Sequence, residues 1–197
     1  MTGDESAPSD EALALRAQQG DRRAFDALVT RHKSVLYRMV RRYVGDADEA
    51  YDILQDAWIS VWETLHRYDA KRPFIAWVRV IALNKCRDYS RRRRFRRLIL
   101  QVFAVEPAVT ARPGLPEEED EEALAARDDL RLQQLAEAIA ALPPLYKEPL
   151  VLTTAGGLTQ EATAALLKTT AKAIEMRLRR ARSKLIEALN PTREGQT

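Results

Sequence analysis

The chain has 197 residues, 46% hydrophobic and 31% charged, with 32 Lys and Arg against 29 Asp and Glu for a net charge of +3. That length suits one or two small domains, and the pI near 9.1 marks a mildly basic chain. The opening MTGDESAPSDEA is too polar and acidic for a secretory signal, no apolar run approaches the roughly 18 residues of a membrane helix, and the single cysteine excludes an internal disulfide or a Cys-rich zinc site.

Helical periodicity dominates and strand alternation is absent. Residues 10–19 predict a short helix stopped at Gly20. Asp21 then caps a second helix, whose apolar stripe runs Phe25, Leu28/Val29, Val35/Leu36, Met39/Val40 and Tyr43/Val44 until Gly45. Asp46 or Asp48 caps a third, burying Ile53/Leu54, Ala57/Trp58, Val61/Trp62 and Leu65. After the break HRYDAKRP, Pro73 takes the first position of a helix carrying Phe74, Trp77/Val78, Ile81/Ala82 and Tyr89. Cys86 lies in this apolar-periodic stretch and reads as a small buried hydrophobe. The helix then runs into arginines: Lys85 to Arg97 holds eight bases and one acid, a local charge of +7.

Residues 98–120 contain three prolines and a glycine, and Pro116 to Asp129 holds eight acids against one arginine, a local −7. This predicts a flexible acidic linker, although LILQVF could dock on the first domain. Leu132, Leu135, Ile139 and Leu142 open a second helical unit. Pro144 starts its next helix, Pro149 predicts a kink or a short helix, and Gly156 and Gly157 end it. Thr159 caps a helix to about Leu167, KTT forms a turn, and Thr170 caps a longer helix with Ile174, Leu178, Ala181 and Leu185 on one face. Lys168 to Lys184 carries seven bases and one acid, so this second helix is a candidate DNA reader. The expected fold is therefore all-α: two small helical domains, 10–97 and 131–190, joined by an acidic linker over 98–130, with the C-terminal domain a helix-turn-helix.

His32 and His66 are the only histidines, and no nucleophile–base pair, zinc motif or phosphate-cradling glycine loop appears. The expectation is a non-enzyme with no catalytic residue, cofactor, metal or small-molecule substrate, not inserted in a membrane and residing in the cytoplasm. The two basic surfaces can each neutralise phosphates, which gives affinity without sequence preference; bases need other readers.

Several segments, covering about residues 11 to 190, resemble the extracytoplasmic-function type of bacterial RNA polymerase sigma factor. QQGDRRAFDALVTRH resembles that family's first helix pair, and DADEAYDILQDAWISVWETL its polymerase-binding helix. PFIAWVRVIALNKCRDYSRRRR resembles its promoter-melting helix, and ALPP and LRRARSKL the start and end of its C-terminal domain. The resemblance implies that Asp52, Gln55 and Asp56 meet the core polymerase. It implies that Tyr68, Asp69, Lys71, Phe74, Asn84, Arg87, Arg91, Arg92, Arg93 and Arg94 hold the minus-ten element as a single strand. Tyr68 and Phe74 are then candidate pocket walls, with Phe74 equally readable as core, and Asn84 can pair with a base edge. It further implies that Lys168, Lys172, Ala173, Glu175, Met176, Arg179 and Arg180 face the minus-thirty-five element. The linker would thread toward the polymerase cleft, or serve as a solvated spacer, and an anti-sigma factor is an expected partner besides core polymerase and promoter DNA.

The chain departs from the pattern at several places. Lys168 and Lys172 stand where the family often has glycine, and Ala173, Glu175 and Met176 where it often has Thr, Lys and Ser. Glu175 could accept from a cytosine amino group or pair with Arg179. Thr163 occupies a position usually aliphatic, so looser packing is expected there; Leu83 replaces a frequent arginine. Two other readings are a free-standing helix-turn-helix regulator, which would bind duplex alone, and an adapter for a basic or helical partner.

Overall fold

The computed structural model describes the backbone of residues 8–103 and 121–190, and every regular element among them is helical. α1 spans Asp10–Gln18 and α2 spans Arg22–Val44. Ser9 and Asp21 cap them by accepting from the Ala12 and Ala24 amides. α2 stops at Gly45, whose φ of 85° is left-handed and free of strain only for glycine. α3, Ala47–Thr64, is capped by Asp46 rather than Asp48; Asp48 and Glu49 instead lie in its first turn, where the helix dipole favours acids. A single 3-10 turn, Leu65–Arg67, leads to the loop before α4, Phe74–Phe103.

Pro73 precedes this helix instead of starting it. Its carbonyl accepts from Ala76 and Trp77, and the free Phe74 amide donates 3.4 Å to Glu11 Oε1 of α1. Leu28, Leu36, Met39 and Val40 of α2, Ala57 and Val61 of α3, and Phe74, Val78, Ala82 and Cys86 of α4 form the buried N-terminal core. Each large side chain so buried contributes about 1.5–3 kcal/mol. Trp58 is half-buried against Phe25, but Trp62 is 39% exposed, so the expected burial of the pair holds for only one of them.

The expected linker bounds, 98–130, overlap a helix at each end. α4 continues through residues 98–103, and α5 occupies Glu121–Ala141; the stretch 104–120 lies outside the described residues, as do the side chains of LILQVF. α6, Pro144–Thr154, begins with Pro144 and passes through Pro149, a short helix of 11 residues. α7, Gln160–Leu166, and α8, Ala171–Leu189, are capped by Thr159 and Thr170. Ile139, Leu142, Leu152, Ile174, Leu178 and Ala181 fill the C-terminal core, whereas Leu132 of the expected stripe is exposed. The halves pack on each other, with α5 and α6 against α2 and Glu148 of α6 ion-paired to Arg87 of α4: Lys147 sits over the Tyr43 ring, 4.8 Å from its centroid.

Candidate nucleic-acid interface

The loop between the 3-10 turn and α4 is held from below. Gln18 Nε2 donates to the carbonyls of Leu65 (2.8 Å) and Tyr68 (2.9 Å), pinning the loop's base to α1. Tyr68 is buried, donates its hydroxyl to the Arg72 carbonyl at 2.6 Å, and stacks edge-on to Phe74 with ring centroids 5.4 Å apart. Phe74 has no exposed surface. Of its two readings the structure realises the core one, and Tyr68 likewise acts as a strut. Asp69 and Lys71 remain exposed, and Asp69 Oδ1 accepts from the Lys71 amide, so they form the outer rim of the loop.

One stripe of α4 faces solvent. Val80, Asn84, Arg91 and Phe95 are exposed along it because their spacings approximate whole helical turns. Asn84 Oδ1 accepts from Arg87 Nη1 at 3.0 Å, and Arg91 is ion-paired with Asp88. The arginine run does not form one rail. Helical rotation spreads it over three sides: Arg91 joins the Asn84 stripe, Arg92, Arg93 and Arg96 line a groove against α3, and Arg94 lines the cleft toward Lys147.

That groove, of about 410 Å3, has Glu49, Asp52 and Asp56 of α3 on one wall and Lys85, Arg92, Arg93 and Arg96 of α4 on the other. Asp52 and Asp56 form no ion pair across it among the described residues. Asp52, Gln55 and Asp56 are exposed, so the face expected to meet a basic partner is open, with the α4 cations partly offsetting its charge.

In the helix-turn-helix, Lys168 adopts φ 53°, the left-handed conformation that explains why glycine suits this turn. Thr169 donates to the Ala164 carbonyl at 2.9 Å, and Thr170 Oγ1 accepts from Ala173 at 3.1 Å, which fixes the direction of α8. Ile174, Leu178 and Ala181 are buried, so Lys172, Glu175, Met176, Arg179 and Arg180 project outward and Ala173 is half-buried. Glu175 pairs with Lys172 at 2.8 Å rather than with Arg179, and this hydrogen bond holds its carboxyl below the usual carboxylate range. Lys168 also lies on the surface. Thr163 is fully buried with its hydroxyl unpartnered, a polar defect at the position expected to pack less well.

Sequence reasoning missed Gln18, Arg79, Lys147 and Glu148. The last two carried a signal: LYKEPLVL places two charges inside an otherwise apolar helix, where burial requires each to find a polar partner elsewhere.

Two family models match the chain: Sigma-70 region 2 over residues 28–96 and Sigma-70, region 4 over residues 132–185. The RNA polymerase sigma factor NccH of Alcaligenes xylosoxydans xylosoxydans is 36% identical, over 91% of this chain and 94% of its own length. CnrH of Cupriavidus metallidurans, also an RNA polymerase sigma factor, is 35% identical over 94% of this chain and 97% of its own length. A solved structure of CnrH in complex with the cytosolic domain of CnrY superposes with a TM-score of 0.65 at 31% identity, covering 94% of this chain and 99% of that one. The chain belongs to the sigma-70 family of RNA polymerase sigma factors, and within it to the extracytoplasmic-function group. Its function is accordingly to bind core RNA polymerase and to direct promoter recognition, DNA melting and transcription initiation.

Proposed function

We propose that these tasks divide between the two halves as follows. Residues 10–97 bind core polymerase through Asp52, Gln55 and Asp56 on the open face of α3. The same domain holds the opened minus-ten strand between the rim Asp69–Lys71 and the α4 stripe, with Asn84 reading a base edge and Arg87 and Arg91 contacting phosphates. Arg92, Arg93 and Arg94 extend the positive field on the flanks. Residues 131–190 place α8 in the major groove at the minus-thirty-five element, and residues 98–130 connect the two. The observation that supports this most is the α4 stripe itself: the exposed amide of Asn84, with the half-buried Arg87 and the exposed Arg91 beside it, on a helix that buries Val78, Ala82 and Cys86 on the opposite side.

Opening DNA costs on the order of 1.4 kcal/mol per base step. Stacking an extruded base recovers roughly 1–3 kcal/mol. Because Phe74 is wholly buried, such stacking falls to the half-buried Trp77 or the exposed Phe95, with Tyr68 and Phe74 supporting from beneath. The protein has no described helix long and apolar enough to cross a membrane and is a transcription factor by family. We read it as non-catalytic and cytoplasmic, and as restrained by an anti-sigma partner, in line with the CnrH–CnrY complex.

The test is run-off transcription with core polymerase. Asn84→Ala combined with alanine at Arg91, Arg92, Arg93 and Arg94 abolishes the product while leaving association with core polymerase intact. Alanine at Asp52, Gln55 and Asp56 removes that association. A transcript that survives the first set of changes contradicts the minus-ten assignment.

A further inference from the structure

Among the described residues, Arg79, Lys147 and Glu148 are buried charged groups, and all three lie where the halves meet. Glu148 of α6 takes Arg87 of α4 in a two-pronged ion pair, Nε to Oε1 at 2.7 Å and Nη2 to Oε2 at 2.6 Å. Arg79 of α4 donates Nη2 to the Gly156 carbonyl beyond α6 at 2.6 Å. Lys147 donates to the Ala140 carbonyl while lying over Tyr43, and burial pushes its ammonium down to about 8.

We propose that Glu148 is an intramolecular latch: its carboxylate occupies the Arg87 guanidinium in place of a DNA phosphate and holds the chain closed until it engages a promoter. The inference rests on the assignment of Arg87 and Asn84 to the minus-ten strand. Three physical points carry it. First, a carboxylate presents the same pair of acceptors to a guanidinium as a phosphate does, so the two compete for one fork. Second, the contact cannot survive promoter reading by both domains. The minus-ten and minus-thirty-five elements are about 25 base pairs apart, roughly 85 Å of duplex at 3.4 Å per pair, whereas here the domains touch. Third, the interface is suited to release. A buried ion pair gains little net free energy because desolvation of both charges offsets their attraction. Arg87 keeps 42% of its side chain exposed and Glu148 11%, so parting of the halves returns both charges to water together.

The latch is tested on the full chain without polymerase. Glu63→Cys and Ser183→Cys supply exposed sites for a donor–acceptor dye pair, while the buried Cys86 stays unlabelled. The otherwise unaltered protein is expected to show one short-distance population. Glu148→Gln with Arg79→Met shifts most molecules to a long-distance population, with helical content by circular dichroism unchanged. In the unlabelled protein, the same pair of changes steepens the log–log salt dependence of binding to a short random-sequence single-stranded oligonucleotide by about 0.7, one additional phosphate. The charge-matched surface pair Glu187→Gln with Arg23→Met leaves that slope as it was. Equal distance distributions in both proteins, or a long distance without the changes, overturns the latch. An opened distance with an unchanged slope overturns the shielding of Arg87. The distance readout is independent of where DNA binds, so failure of the minus-ten assignment shows in transcription and not here.

Discussion

Gly45 and Ala140 meet so closely that a side-chain carbon added at position 45 would stand 3.0 Å from the Ala140 Cβ. The glycine therefore serves two purposes at once. Its φ of 85° ends α2, and its missing side chain admits α5. Gly45→Ala is expected to cost about 1–2 kcal/mol from the left-handed backbone alone. That corresponds to a fall in melting temperature of about 2–8 °C, read by calorimetry. Adding Ala140→Gly restores the space but not the conformation, and as a glycine within α5 it costs about 0.5–1 kcal/mol itself, so the pair is no more stable than Gly45→Ala alone.

Lys168 bears the same conformational strain without the glycine. Lys168→Gly relieves the φ of 53°, and after the extra freedom of glycine in the unfolded chain is subtracted, the net gain is about 0.5–1 kcal/mol. Urea unfolding followed by circular dichroism measures it. A loss of stability would show that the Lys168 side chain makes a compensating contact.

Thr163 carries a buried hydroxyl with no partner. Thr163→Val keeps the shape and removes the desolvation penalty. The expected gain is about 1 kcal/mol in the same unfolding experiment, with promoter binding unchanged because the side chain is wholly internal.

Cys86 is fully buried, and burial pushes its thiol up to about 12. Two outcomes follow. At about pH 8 the native protein resists iodoacetamide, which attacks the thiolate, and reacts only in denaturant, as mass spectrometry would show. The folded thiol is also harder to ionise than the unfolded one, whose value is near 9.0. Its contribution to stability is therefore complete below that value and is lost as pH rises toward the folded value. Cys86→Ala removes that part of the alkaline decline in unfolding free energy; an unaltered decline contradicts the assignment.

Most helix boundaries were legible because caps are local. Asp21, Asp46, Thr159 and Thr170 each accept from an amide three residues on, and such hydrogen bonds depend on little beyond the neighbouring sequence. Asn84 and Arg91, which the family pattern singles out, lie on one exposed stripe. The partition of the arginines was not legible. A run of like residues reads as one feature, while a helix turns each by about 100° and sends neighbours to different partners. The meeting of Arg87 with Glu148, 61 residues away, was invisible for a different reason. Nothing in local propensity reports a contact between domains. Phe74 and Trp62 show the limit of periodicity: both fall on apolar stripes, yet one is sealed and the other faces water, because burial depends on whether another helix covers that end of the stripe.

On the proposed function, this chain, once joined to core polymerase, holds separated promoter strands through the α4 stripe around Asn84. Permanganate footprinting of unpaired thymines tests it most directly, on promoter DNA selected from a random pool with the holoenzyme. Reactive thymines are expected near the minus-ten position with the unaltered protein, and they are lost when Asn84 and Arg91 are both changed to Ala. Holoenzyme that initiates with no reactive thymines, or whose reactivity is indifferent to those two changes, contradicts it.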